Sequence, residues 1–201
     1  LTPPLRQARA RTDALVLAGG DFILEQYRHA TPHVPLLPAA AALADGLDAE
    51  ELPLLAWIEQ LGRRFAETFT FDATATAVST PLAEVLEKKR GVCQDFTHLF
   101  LSCARQHGLP AAYVSGYLLT KPPPGQPRLH GADAMHAWAS IHVPDIGWID
   151  YDPTNACFAG AGHIVVARGR DYADVSPTRG VFTGATPPAP RIAVTVEPTA
   201  D

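Results

Sequence analysis

Apolar residues return every three to four positions through the first half of this 201-residue chain and every second position beyond residue 110. The strongest helical pattern covers 52–65, where Leu54, Leu55, Ile58, Leu61 and Phe65 recur at helical spacing and Pro53 suits the first turn. A shorter pattern over Asp21 to His29 is broken by Thr31-Pro32-His33-Val34-Pro35, and the alanine-rich stretch Ala39 to Leu47 predicts another short helix. Thr80 as cap and Pro81 at the first position open a helix that runs to about Lys88 and stops at Arg90-Gly91. A further helix from Cys93 to His107 carries Phe96, Leu99, Phe100 and Cys103 on one side and ends at Gly108-Leu109-Pro110. The first nineteen residues are weakly patterned and read as a linker or a stray helical segment.

The strand-like half begins after a short extended patch at Phe69 to Phe71. Strands are predicted over Ala111 to Leu119, Ala134 to Val143, Trp148 to Asp152 and Ile164 to Arg168, with a last one over Arg191 to Val196. Pro144-Asp145-Ile146-Gly147 is a hairpin turn, and Lys121 to Pro127 is a Pro/Gly loop. Helices first and antiparallel strands afterwards define an α+β domain.

Composition narrows the partners. A net charge of -5, with Lys88-Lys89-Arg90 as the one basic cluster, argues against nucleic acid, which demands grouped Lys and Arg. No apolar run approaches the ~20 residues that span a bilayer, so a membrane role is not expected. Three cysteines at 93, 103 and 157 form neither a disulfide framework nor a paired zinc spacing, which points to a reducing, cytoplasmic setting without metal or other cofactor. The chain begins at Leu1 rather than Met, as expected of a processed product or an excerpt of something longer.

Three places carry chemistry. Cys93 follows a glycine turn and opens a helix, whose unpaired N–H groups and positive dipole end favour thiolate over thiol and can stabilise an oxyanion. His136 lies on a strand from which it can approach that thiol as a base; alone it reads more readily as a histidine packed in the sheet, and regular alternation puts His142 on the same face. Asp152 ends the returning hairpin strand, expected opposite Ile141 or nearby, where a carboxylate can hold the imidazole tautomer; alone, Asp152-Pro153-Thr154-Asn155 is a turn signal. Cys103 reads as core and Cys157 as exposed with no evident base, while His98 faces either cleft or solvent. Asp95 reads as a cap, Gly116 as a bulge or a point of close substrate approach, and Arg170, Asp171 and Asp174 as a solvated charged loop.

Taken together, Arg90-Gly91-Val92-Cys93-Gln94-Asp95-Phe96 with His98, then Gly108-Leu109-Pro110-Ala111, Tyr113-Val114-Ser115-Gly116-Tyr117, Gly131-Ala132-Asp133, His136-Ala137-Trp138, Gly147-Trp148, Asp152-Pro153-Thr154-Asn155 and the run His163 to Ala167 with Gly169-Arg170-Asp171-Tyr172 resemble the bacterial branch of the transglutaminase-like superfamily. The resemblance spans roughly Phe22 to Val196 and implies a papain-like α+β core, with a Cys93-His136-Asp152 triad and no cofactor. It divides the chain into an N-terminal linker or extension, 1–20, and a transglutaminase-like catalytic domain, 21–201. The implied activity is acyl transfer through a thioester on a peptide, a protein or a small amide, chiefly as hydrolysis. The alternatives are a protein-glutamine amine acyltransferase, a non-catalytic binding module that keeps the fold, and, more weakly, a Cys/His metal site. Two departures stand out. Little room remains for the separate β-rich region often found upstream, and the helix before Gly91 offers Glu84 and Glu87 where papain-type enzymes carry an oxyanion glutamine, leaving the second oxyanion donor unassigned.

Overall fold

The computed structural model describes residues 2–19, 22–47, 51–119, 133–178, 180–181, 183–184 and 192–198. Helices α1 (Leu5–Leu17), α2 (Phe22–Gln26) and α3 (Pro38–Ala41) come first, and a short 3-10 turn, Ala42–Ala44, follows α3. Then come α4 (Leu54–Thr68), β1 (Thr70–Phe71), α5 (Leu82–Lys88), β2 (Arg90–Gly91) and α6 (Cys93–Gln106). Five strands complete the order: β3 (Ala111–Leu118), β4 (Met135–Val143), β5 (Gly147–Asp152), β6 (Cys157–Phe158) and β7 (His163–Gly169).

Helix α4 forms because Leu54, Trp57, Ile58, Leu61 and Phe65 return to one face, which is buried throughout. A 15-residue helix is marginal by itself in water, so this apolar face, at roughly 2 kcal/mol per fully buried side chain, is what holds it. Residues 5–17 form a true helix, and Leu5 and Ala8 join the same core as α4. Helix α6 is buried from Asp95 to Arg105 and lies between β3 and β4 on one side and α3 on another. Gly108, at φ +75°, ends it.

The sheet has the order β6-β5-β4-β3-β7, with every neighbouring pair antiparallel. Along β4, Ala137, Ala139, Ile141 and Val143 enter the hydrophobic core. The alternate residues Trp138 and Ser140 are also fully buried, and their polar atoms are satisfied by Asp150 of β5, at 3.1 Å from the indole Nε1 and 2.5 Å from the hydroxyl. Arg168 of β7 donates to the same carboxylate at 2.9 Å, so one acid ties three strands across the face opposite the core.

Several sequence expectations shift. Helix α5 begins one residue late, at Leu82 with Pro81 as cap, because the Thr80 hydroxyl accepts from Ala77 N–H and so shapes the preceding turn instead. It ends at Lys89 in the left-handed region, and Arg90-Gly91 already pairs as a strand with Thr70-Phe71. Asp152 does not lie opposite Ile141. Val143 pairs with Gly147, Ile141 with Ile149 and Ala139 with Tyr151, which brings Asp152 level with Trp138. The turn sets this register: Ile146 N–H closes on Val143 O and Gly147 follows at φ +102°, so only residues 144–146 lie between the paired ends. Ile192 to Val196 forms no strand; Val194 O accepts from Asp133 N–H at 3.0 Å and Val196 N–H donates to the Asp133 carboxylate at 2.8 Å. Lys121 to Pro127, Gly131, Ala132 and Arg191 lie outside the described residues.

Candidate active site

Strand β2 runs directly into α6 through Val92, an extended residue whose N–H donates to Asp95 Oδ2 at 2.9 Å. The Thr76 hydroxyl donates to the same oxygen at 2.6 Å. Asp95 is therefore a buried cap, as expected, and burial raises its carboxyl although both hydrogen bonds oppose the shift. Gly91 is needed here because a Cβ would stand 2.8 Å from Asp95 Oδ2. The strand-to-helix junction leaves Cys93 half-buried in the first helical turn, where backbone N–H groups lack intrahelical acceptors.

His136 joins the two other predicted residues. Its Nε2 lies 2.7 Å from Asp152 Oδ2, and the Cys93 side chain acts on the same ring, favouring its protonated form. An ionised carboxylate only accepts, so Nε2 carries a proton and Nδ1 is left for a second partner. The contact with Asp152 is a diagonal one across the β4–β5 ladder, within reach of a long side chain.

Asp152 is completely buried. Its Oδ1 accepts from the backbone N–H groups of Thr154 at 2.9 Å and Asn155 at 3.2 Å, and its Oδ2 also accepts from Asn155 Nδ2 at 2.7 Å and His163 Nε2 at 3.3 Å. Burial works against its charge, but the His136 hydrogen bond and charge and the Asn155 donors outweigh it and hold the carboxyl below its ordinary range. Burial likewise opposes protonation of His136, yet the hydrogen bonds and negative charges of Asp152 and Cys93 prevail and raise the ring to about 9. The arrangement is an imidazolium held against the Asp152 carboxylate.

Asn155 and His163 were not singled out from sequence as part of the site. The only signal was their place in the Asp152-Pro153-Thr154-Asn155 turn and the His163 to Ala167 run. Cys157 is exposed and pairs with Asp152 between β5 and β6; burial first, and then the Asp152 charge, push its thiol up. Ligand atoms of Asp152, Cys157 and His163 lie within 4.8 Å of one another, a spacing open to a metal ion. Both Asp152 oxygens already accept several donors, and a cation would have to displace them.

The remaining candidates fall elsewhere. Cys103 is buried in the core. His142 packs edge-on against Trp148, with ring centroids 5.5 Å apart, rather than joining His136 at the thiol. Glu84 pairs with Lys88 on an exposed helix face. Asp171 is not solvated: it is buried, because its carboxylate accepts from the N–H groups of His33 at 3.3 Å and Ala173 at 2.8 Å, while Arg170 and Asp174 form an exposed pair at 2.8 Å. Gly116 sits where the β3–β7 register shifts, which supports the bulge reading. A cavity of about 410 Å³, bounded by Pro35, Leu37, Pro81, Leu82 and Gln94, flanks the first turn of α6.

His98 is buried rather than solvent-facing. It stacks on His33, with centroids 5.6 Å apart, and its Nε2 accepts from Tyr172 N–H at 3.2 Å. Burial first, and then the neighbouring His33, push it down to about 3. Below the ordinary histidine value the unfolded chain binds a proton that the fold refuses, so stability falls with falling pH. Between pH 7 and 5 this one group is expected to remove about 2 kcal/mol. His98→Gln keeps an acceptor for Tyr172 and is expected to flatten that slope, as read from urea midpoints at the two pH values; parallel slopes would refute the assignment.

A half-buried cysteine at a helix start, meeting a histidine and an aspartate on neighbouring antiparallel strands, places the molecule among α+β proteins of the papain-like, transglutaminase-like kind. A candidate cysteine protease from Cytophaga hutchinsonii shares the fold, with a TM-score of 0.65 and 19% identity, over 80% of this chain and 51% of that one. The sequence profile of the transglutaminase-like superfamily matches residues 41–153, and the chain belongs to that superfamily. An uncharacterized protein of Mycobacterium tuberculosis is 48% identical over 134 residues, 65% of this chain and 43% of its own length. A protein-glutamine gamma-glutamyltransferase of Pseudomonas aeruginosa is 30% identical over 122 residues, 58% of this chain but 18% of that protein. The chain thus spans less than half the length of either relative.

Proposed function

We propose that the protein cleaves peptide or related amide bonds through a thioester on Cys93. The observation that carries this reading is the His136–Asp152 contact at 2.7 Å, on a ring whose protonated form Cys93 also favours from the start of α6. The Cys93 thiolate adds to the amide carbonyl, and the first-turn N–H groups of α6 offer the oxyanion a donor. The His136 imidazolium then gives its proton to the departing amine, and Asp152 stabilises the charge and tautomer throughout. Water, activated by the now neutral His136, attacks the thioester, releases the acid and returns the proton to the ring. A second reading replaces water by an amine; the likeness to the Pseudomonas aeruginosa glutamyltransferase supports it.

Alkylation by iodoacetamide tests the first step. Cys93, followed by peptide mass spectrometry so that exposed Cys157 is read separately, is expected to react at pH 6 at least ~10-fold faster than free cysteine, which is mostly thiol there. Reaction no faster than free cysteine would defeat the ion pair. Turnover of amide substrates found by screening is expected to vanish in Cys93→Ala and to decline as pH rises through about 9, where His136 loses the proton it must donate. Adding a primary amine separates the acceptors: amide-linked product in place of free acid would favour transamidation.

A further inference from the structure

The mechanism above leaves unused a second histidine at the Asp152 carboxylate. His163 opens β7, with its side chain nearly as buried as that of His136, and directs Nε2 at the same Asp152 oxygen that His136 uses. We propose that His163 is a positioning residue, a neutral hydrogen-bond donor that fixes Asp152 Oδ2 against His136. The inference rests on the triad reading of Cys93, His136 and Asp152.

Its orientation is over-determined. Gly160 N–H donates to His163 Nδ1 at 3.2 Å, while His163 N–H donates back to Gly160 O at 2.9 Å, so the turn and the ring lock one another. The Trp138 indole meets the imidazole edge to face, with centroids 5.2 Å apart. Because Nδ1 must accept from Gly160, it holds no proton, and the proton of the neutral ring sits on Nε2, aimed at Asp152.

Neutrality is the useful property. Asp152 must hold His136 as an imidazolium, and a second cation on the same oxygen would compete for that anion and repel the first. A neutral N–H restrains Oδ2 without weakening the charge that His136 needs. Asn155 Nδ2 supplies another uncharged donor to that oxygen, at 2.7 Å, so every donor on it except His136 is neutral.

The test uses iodoacetamide at pH 6 and a Cys157→Ser background, so that the exposed thiol contributes nothing. His163→Ala is expected to lower alkylation of Cys93 about tenfold, the lower end of what a hydrogen bond to a charged group contributes. His163→Gln, which keeps an amide donor at similar reach, is expected to recover most of it. His163→Lys, which adds a cation, is expected to do no better than alanine. Thermal midpoints recorded alongside show which variants are folded, and the glutamine variant decides the matter if alanine is not. Should the parent protein show no excess over free cysteine, the triad reading fails and takes this inference with it. Should the parent show the excess and a folded His163→Ala keep it, the inference alone is overturned. Equal loss in the alanine and glutamine variants would also overturn it, by assigning the effect to ring packing on Trp138.

Discussion

Asp152→Asn is expected to reduce turnover by about 10³- to 10⁴-fold while leaving the fold intact, the scale on which a histidine loses its correct tautomer. The substitution preserves shape and removes charge. Five N–H donors converge on this buried carboxylate, from His136, His163, Thr154 and twice from Asn155. An asparagine can offer them only one oxygen. If its amide nitrogen occupies the Oδ2 position, it confronts the donors of His136, Asn155 and His163, and the His136 ring is driven to place its proton on Nδ1, toward the sulfur. If it occupies the Oδ1 position, two backbone N–H groups lose their acceptor. In either case His136 no longer has the anion that raises it to about 9. The alkaline limb of the turnover profile should therefore move down by more than one pH unit along with the loss in rate. Measuring both in one pH series checks the claim, and a variant within tenfold of the parent would show that Asp152 does not orient the base.

Gly116→Val is the substitution expected to cost the most stability, about 3 kcal/mol or more, or roughly a 10 °C lower melting temperature for a chain of this size. A Cβ at this position would overlap the backbone oxygen of Ile164 and the six-membered ring of Trp138. Neither can yield easily, since Ile164 belongs to the β3–β7 ladder and Trp138 is fully buried with its Nε1 bound to Asp150. His136 lies directly across the ladder from Gly116, so the displaced indole would disturb the site as well as the sheet. A thermal scan that shows less than about 3 °C of change would mean that the bulge can absorb the side chain.

The sequence carried more of this site than of its surroundings. The Cys93 helix was legible because a glycine turn, an apolar 3.6-residue period and a Gly-Leu-Pro stop agree with one another. The hairpin that bears His136 and Asp152 was legible as two alternating runs around a short turn. Its register was not, because it depends on Asp145 and Gly147 both taking positive φ, which their residue types allow but do not dictate. His163 and Asp171 escaped for a different reason. Each reaches its partner across more than ten residues of chain, by contacts that no local periodicity encodes. Asp171 looked like loop charge, and its burial became visible only once His33 and the 3-10 turn at Tyr172–Asp174 were packed around it. Residues 5–17 lack a clear apolar stripe, and the helix there depends on docking Leu5 and Ala8 into the core.

The two contacts of the His136 ring are unequal in origin. Base and carboxylate stand sixteen residues apart on one hairpin, so their spacing is set chiefly by that hairpin. The sulfur arrives on a separate helix, which packs against β3 and β4. Any influence that slides α6 along the sheet, whether a neighbouring segment of a longer chain or a bound ligand wedged beside Pro81 and Gln94, would open the sulfur end of the relay and leave the other end closed. The distance from sulfur to ring thus depends on how α6 is seated on the sheet.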